Sequence, residues 1–238
     1  MGSSRLPNKV LKDLCGKPAL WHVINRVKKS KLIDEIIIAT TIEKQDLQIV
    51  KFCADNDIRV FVGSESDVLD RYYQAARLFK PDNVIRITSD CPLIDYEIID
   101  LIIKKHIEEN NDYTSNTLVD SFPDGLDCEI MKYSVLERAW ENACLQSERE
   151  HVTLYIKNGD FKKKNILCEE DRKNFRWTLD TEKDFLFNNY FQRNSHMDSY
   201  SRHCCFHHCH CHIHNHHYRN CHCCFLNFRY CFHYWSFR

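Results

Sequence analysis

Glu35-Ile36-Ile37-Ile38-Ala39-Thr40 is a continuous apolar run bounded by one acid and one hydroxyl. A strand with one wet face alternates apolar and polar residues; a run without alternation suits a strand buried on both faces, as in a parallel sheet. Upstream, Gly16-Lys17-Pro18 opens a helical pattern from Ala19 to Ser30 in which Leu20, Val23, Ile24 and Val27 share one face. Downstream the alternation continues: helix 43 to 56, strand 58 to 62, helix 66 to 79, strand 83 to 88, helix 95 to 109 and a short strand near Tyr113. Repeated units of this kind predict a doubly wound α/β sheet.

The 238 residues divide by composition into a body, 1 to 190, and a tail, 191 to 238. The body is long enough to bury a core of its own. It carries 28 basic and 33 acidic residues, a balance that gives no general reason to expect nucleic acid or an anionic membrane as partner. No apolar run approaches the roughly 20 residues that span a bilayer, and no secretory signal precedes the body. The expected location is cytoplasmic, and the body's six scattered cysteines read as reduced thiols. The tail packs eight Cys and eleven His among residues that exclude Gly, Pro, Ala, Val, Thr, Lys and Glu. Structural zinc sites pair ligands across defined intervals with glycine turns and an apolar core, which this tail lacks. It is read as an unstructured, out-of-frame product with the break near residues 188 to 196, ahead of the alternative of a metal-binding module.

Two features of the body carry chemistry. Gly2-Ser3-Ser4-Arg5-Leu6-Pro7-Asn8-Lys9 has the small residues that let backbone N–H groups approach a polyphosphate. Arg5 can fork onto two oxygens, and Lys9 is a mobile point charge. As a pattern alone it also fits an ordinary surface turn. The second feature is a pair of apolar runs, each read as a strand ending in a carboxylate. Val84-Ile85-Arg86-Ile87-Thr88-Ser89-Asp90 leads to a Cys-Pro turn, and Phe175-Arg176-Trp177-Thr178-Leu179-Asp180 leads to Thr181, placed to cap a closing helix. Open α/β sheets bind ligands at the carboxyl ends of their strands, and two carboxylates there could share one magnesium ion. The plainer reading is that Asp90 caps a turn and Asp95 the next helix.

These stretches, with GSESDVLDRYYQAA at 63 to 76, RITSDCPLID at 86 to 95, FPDGLDCEI at 122 to 130, SEREHVT at 147 to 153 and WTLDTEKDF at 177 to 185, resemble the cytidylyltransferases of the spore-coat polysaccharide biosynthesis protein F type. Those enzymes are related to the ones that activate acylneuraminate and 3-deoxy-manno-octulosonate as CMP derivatives. The resemblance runs through residues 1 to 187 and stops at the tail. It implies a nucleotide-diphospho-sugar transferase fold with a mixed, mostly parallel sheet, and transfer of CMP from CTP to a sugar, an acidic one being favoured, with release of pyrophosphate.

Residue by residue, the resemblance implies that Arg5 and Lys9, with Ser3 and Ser4 in the same loop, hold the triphosphate. Asp90 and Asp180 match magnesium-binding aspartates, and Asp70 and Arg71 approach the nucleotide, although an Asp-Arg pair in a helix also reads as a surface ion pair. Asp127, Arg149 and His151 are the sugar-side candidates. Against them, Pro123-Asp124-Gly125 reads as a turn, and Ser147 with Glu150 as a capping box for a helix through Tyr155. Relatives begin with a strand of the form I-I-Q-A-R leading into the loop. This sequence lacks it, so the chain as written is expected to be unstable or poorly active. The oligomeric state stays open, with a homodimer as one outcome. The alternatives are an inactive remnant, a glycosyltransferase using a nucleotide sugar, and a metal-binding chain dominated by its tail.

Overall fold

The structure, a computed structural model, describes Ser3 and residues 5 to 194, without the side chain of Asn194. Ser4 and the tail from 195, where the Cys/His-rich segment was expected, lie outside the described residues. The chain divides into two units, Met1–Gln192 and Arg193–Arg238, and the sheets lie in the first.

Elements alternate as the periodicity predicts, with ends shifted by a few residues. A short hairpin, β1 (Asp13–Leu14) and β2 (Lys17–Pro18), leads into α1 (Ala19–Val27). Then come β3 (Ile37–Thr41), α2 (Leu47–Asp55), β4 (Arg59–Gly63), α3 (Val68–Phe79), β5 (Asn83–Arg86), α4 (Tyr96–Glu108) and β6 (Tyr113–Ser115). The second half holds β7 (Glu129–Lys132), α5 (Tyr133–Asn142), α6 (Gln146–Glu150), α7 (Leu154–Asn158), β8 (Lys163–Asn165) and α8 (Glu182–Asn194). No helix among the described residues is long and apolar enough to cross a membrane.

The strands are mixed in direction. β3 and β4 pair in parallel, while a four-stranded sheet runs β5-β7-β6-β8, in which β7 is antiparallel to both neighbours and β6 and β8 are parallel. Successive strand residues face opposite ways, and the cores divide accordingly. Ile85 and Ile130 pack with Val23 and Val27 of α1 and Ile99, Ile102 and Ile103 of α4. Val84 and Met131, each one residue away, pack with Leu69 of α3, Leu136 and Ala139 of α5 and Ile156 of α7. Helices therefore cover both faces, which is the doubly wound arrangement. The β3–β4 pair shares no ladder with β5; Ile36 joins the two parts by packing with both the α1–α4 core and the cluster of Leu20, Ile24, Ile49 and Cys53.

Three local expectations change. Residues 175 to 180 are not a strand: among the described residues they form one parallel bridge, Asp124 with Arg176, while the Phe175 N–H turns back to Arg172 O and the Leu179 N–H goes to Asp90 O. The helix expected through Tyr155 is two helices, α6 and α7, with His151 at the break. Its N-terminus is closed by Glu148, which accepts from the N–H groups of Cys144 and Leu145 at 3.2 Å each, and not by Ser147 with Glu150.

Candidate active site

The site forms where the N-terminal loop, the turn after β5 and the segment before α8 meet. Leu6 is buried with Leu14, Ala19 and Leu179, so the side chain next to Arg5 is packed against the residue next to Asp180. Asn8 takes a left-handed conformation (φ 58°) to start a 3-10 turn at Lys9–Leu11, a geometry Asn tolerates better than most residues. Ser3 supports the loop through its hydroxyl, which accepts from the Leu6 N–H at 3.2 Å. On the other side, Thr181 caps α8 by accepting from the Asp184 N–H at 3.3 Å, and Asp184 accepts from Asp180 and Thr181 in return.

These anchors bring four sequence candidates together. The Lys9 ammonium donates to Asp90 Oδ2 at 2.7 Å and to Asp180 Oδ1 at 2.5 Å. Arg5 reaches Asp180 Oδ2 at 3.1 Å from an exposed position. Burial opposes the charge on Lys9, but its bonds to Asp180 and Asp90 outweigh this and raise its pKa above the ordinary value. Burial likewise opposes the charge on Asp180, and Lys9, Arg176 and Arg5 together hold its carboxyl below the usual range.

Asp127 is drawn into the same neighbourhood. The loop carrying it is joined to residues 175 to 177 by the Asp124 N–H donating to Phe175 O (3.0 Å) and the Trp177 N–H donating to Asp124 O (2.6 Å). Gly125 makes the join possible: its φ is +106°, and a Cβ there would sit 2.6 Å from Thr178 N. Burial, then the charge of Asp124, and more weakly Glu129 and Asp90, push the Asp127 carboxyl up to about 6, against an opposing hydrogen bond from the Gly125 backbone.

The remaining candidates assemble elsewhere. Arg149 donates through Nε and Nη2 to Asp67 Oδ2 (2.8 and 2.6 Å) and through Nη1 to Trp140 O (2.7 Å), so its guanidinium clamps α6 to the start of α3 and to α5. Asp70 accepts from Trp140 Nε1 (2.8 Å) and Gln74 Nε2 (3.1 Å) in that same cluster. Arg71 lies over the end of β4, where Gly63 has no Cβ to meet it at 2.9 Å, and donates to Ser64 O at 2.5 Å. Its Nε is buried and has no hydrogen-bond partner among the described residues. His151 is exposed.

Sequence reasoning passed over two groups. Arg176 donates to Asp180 Oδ2 at 2.7 Å, pairs with Asp124 and lies 3.5 Å from Asp184, so it organises three carboxylates. The sequence signal is an Arg four residues before the Asp, hidden by the expectation of a strand there. The other group surrounds Glu129, which is nearly fully buried. It is bound by Arg86, Lys157 (2.9 Å), the Tyr113 hydroxyl (2.5 Å) and Thr153 (2.9 Å). Burial opposes its charge, yet Arg86 and Lys157 bring its carboxyl down to about 2. Nothing in FPDGLDCEI distinguishes this Glu from an exposed one.

Among the described residues no three His, Cys, Asp or Glu side chains form a metal cage. Asp90 and Asp180 are two carboxylates already focused on one cation, a donor set suited to a hard divalent ion that completes its shell with water and phosphate oxygens.

A mixed α/β sheet wrapped by helices, with a basic loop facing two carboxylates, is a fold this chain shares with solved nucleotidyltransferases. The chain belongs to the cytidylyltransferase family, whose model matches residues 1–201. An uncharacterised protein of Methanocaldococcus jannaschii is 41% identical over 203 residues, covering 83% of this chain and 81% of that protein. The spore coat polysaccharide biosynthesis protein SpsF of Bacillus subtilis is 33% identical over 194 residues, covering 78% and 80%. The solved structure of a cytidylyltransferase from Leptospira borgpetersenii superposes with a TM-score of 0.75 at 33% identity, covering 78% of this chain and 79% of that one.

Proposed function

We propose that this chain transfers CMP from CTP to a hydroxyl of a sugar, an acidic one, in the cytoplasmic synthesis of a surface polysaccharide. The observation that carries the reading is the meeting of Lys9, Arg5 and Arg176 with Asp90 and Asp180 at 2.5 to 3.1 Å. The family and the name of the Bacillus relative support the cytidylyl donor and the polysaccharide setting.

In this reaction the sugar hydroxyl gives its proton to water as its oxygen bonds to the α-phosphorus, the bond from that phosphorus to the β-phosphate oxygen breaks, and pyrophosphate leaves with the electron pair. Arg5 and Lys9 hold the triphosphate and take up charge on the departing pyrophosphate, an electrostatic task for basic side chains beside the phosphates. Ser3 keeps their loop in shape, and Arg71 with Asp70 borders the nucleotide. Asp90 and Asp180 would hold magnesium, which when bound neutralises phosphate charge and polarises the phosphorus. Arg176 keeps Asp180 ionised and oriented. On the sugar side Asp127 and His151 remain the candidates, whereas Arg149 is spent on the fold.

Calorimetry with the full chain tests this: CTP binding that requires magnesium, exceeds that of ATP and UTP, and is lost in Asp90→Ala is expected. Pyrophosphate release should then depend on an added sugar acid. A folded protein that binds no nucleotide would overturn the reading.

A further inference from the structure

We propose that Lys9 is a built-in counter-cation, whose ammonium occupies the place between Asp90 and Asp180 that a divalent metal would take and must swing away before the carboxylates can close on one. This deepens the reading of the site as a metal and triphosphate centre and rests on it.

Lys9 Nζ lies 2.7 Å from Asp90 and 2.5 Å from Asp180, and all three side chains are about four-fifths buried. A magnesium ion bonds carboxylate oxygens at about 2.1 Å, so an ion held by both oxygens would overlap the ammonium, and the two occupants exclude each other. The charges favour exchange. Four carboxylates, Asp90, Asp180, Asp124 and Asp184, face three cations, Lys9, Arg5 and Arg176, which leaves the cluster a net negative charge. Among the described residues Asp90 has no ion pair other than that with Lys9, while Asp180 keeps Arg5 and Arg176 if Lys9 departs. The backbone need not move, because the Lys9 N–H is held by Leu6 O at 3.2 Å while the side chain swings on its flexible four-carbon stem. A nucleotide's phosphates give the displaced ammonium a new partner, so triphosphate draws Lys9 away and leaves the carboxylates to the metal. By linkage each ligand then favours the other.

The test is manganese binding to the full chain without nucleotide, followed by electron paramagnetic resonance, for wild type, Lys9→Gln, Lys9→Met and Lys9→Gln with Asp90→Asn. Both single variants should bind manganese about tenfold more tightly than wild type, within the usual span of coupling between sites, and the double variant should lose the gain. Equal affinity in wild type and folded single variants overturns the proposal. If neither single variant folds, wild-type protein decides: magnesium should speed acylation of Lys9, read by mass spectrometry, and an unchanged rate overturns the proposal. The two readings fail separately. A wild type that binds no CTP, alongside variants that gain metal affinity, sinks the cytidylyl reading alone; CTP turnover with unchanged manganese affinity sinks the Lys9 exchange alone.

Discussion

The backbone N–H of Leu179 donates to the carbonyl of Asp90 at 2.8 Å. This one bond joins the turn after β5 to the segment before α8 and sets Asp90 and Asp180 side by side. Leu179 is fully buried beside Leu6, so its side chain also fixes the basic loop. Leu179→Ala should cost about 2–5 kcal/mol of stability, as Leu truncations in packed cores do. It should also weaken CTP binding although residue 179 carries no polar side chain. Urea unfolding and calorimetry read the two effects.

Gly125 offers a sharper break. Any side chain there meets Thr178 N at 2.6 Å and the Trp177 carbonyl carbon at 2.7 Å, both backbone atoms, and must also adopt a φ of +106°. Gly125→Ala should separate the 122 to 128 loop from residues 175 to 180. The expected loss is about 2 kcal/mol or more, with CTP affinity falling alongside. Unchanged thermal unfolding would contradict the close approach.

The acid limb of stability should depend on Asp180. Its folded pKa lies below its ordinary 3.8, so ionised Asp180 stabilises the fold above that value, and the contribution is lost as pH falls through the folded pKa. Asp180→Asn should be less stable than wild type at neutral pH, and the gap should close as pH drops below about 4. Denaturant midpoints measured across that range would show it; a constant gap would not fit.

Glu129 tests whether the buried network is structural. Glu129→Gln leaves Arg86 and Lys157 without their carboxylate, and breaking a buried pair from one side costs about 3–5 kcal/mol. Because burial is overcome by Arg86 and Lys157 to hold the carboxyl at about 2, the wild-type contribution persists down to pH 4.5 and fades between there and about 2.

Arg149→Lys should show that Arg149 serves the fold. It keeps the charge but loses the fork onto Asp67 and the bond to Trp140 O, at an expected cost of about 1–2 kcal/mol, discounted because Asp67 and Arg149 are partly exposed. CTP affinity should be unchanged, and a large KM effect for the sugar without a stability change would reverse the assignment.

The alternation of strands and helices was legible because periodicity is local: Leu20, Val23, Ile24 and Val27 do form the buried stripe of α1. Asp95 and Thr181 do cap α4 and α8, for capping depends on residues a few positions apart. The same local reasoning fails at 175 to 180, whose long-range backbone bonds go to Asp124 and Asp90, residues that no window around them contains.

What the sequence determined, then, is the alternation of helices and strands from α1 to β6 and the caps of α4 and α8, since both are properties of neighbouring residues. The tertiary structure alone decided that Lys9 meets Asp90 and Asp180 across 81 and 171 positions, that Arg149 is held by Asp67, and that Glu129 is buried among Arg86, Lys157 and Tyr113. Those pairings follow from tertiary packing: the Leu6–Leu179 cluster and the Leu179 N–H on Asp90 O bring Lys9 to its two carboxylates. An ionisable side chain carries no mark in the sequence of the partner that packing will bring to it.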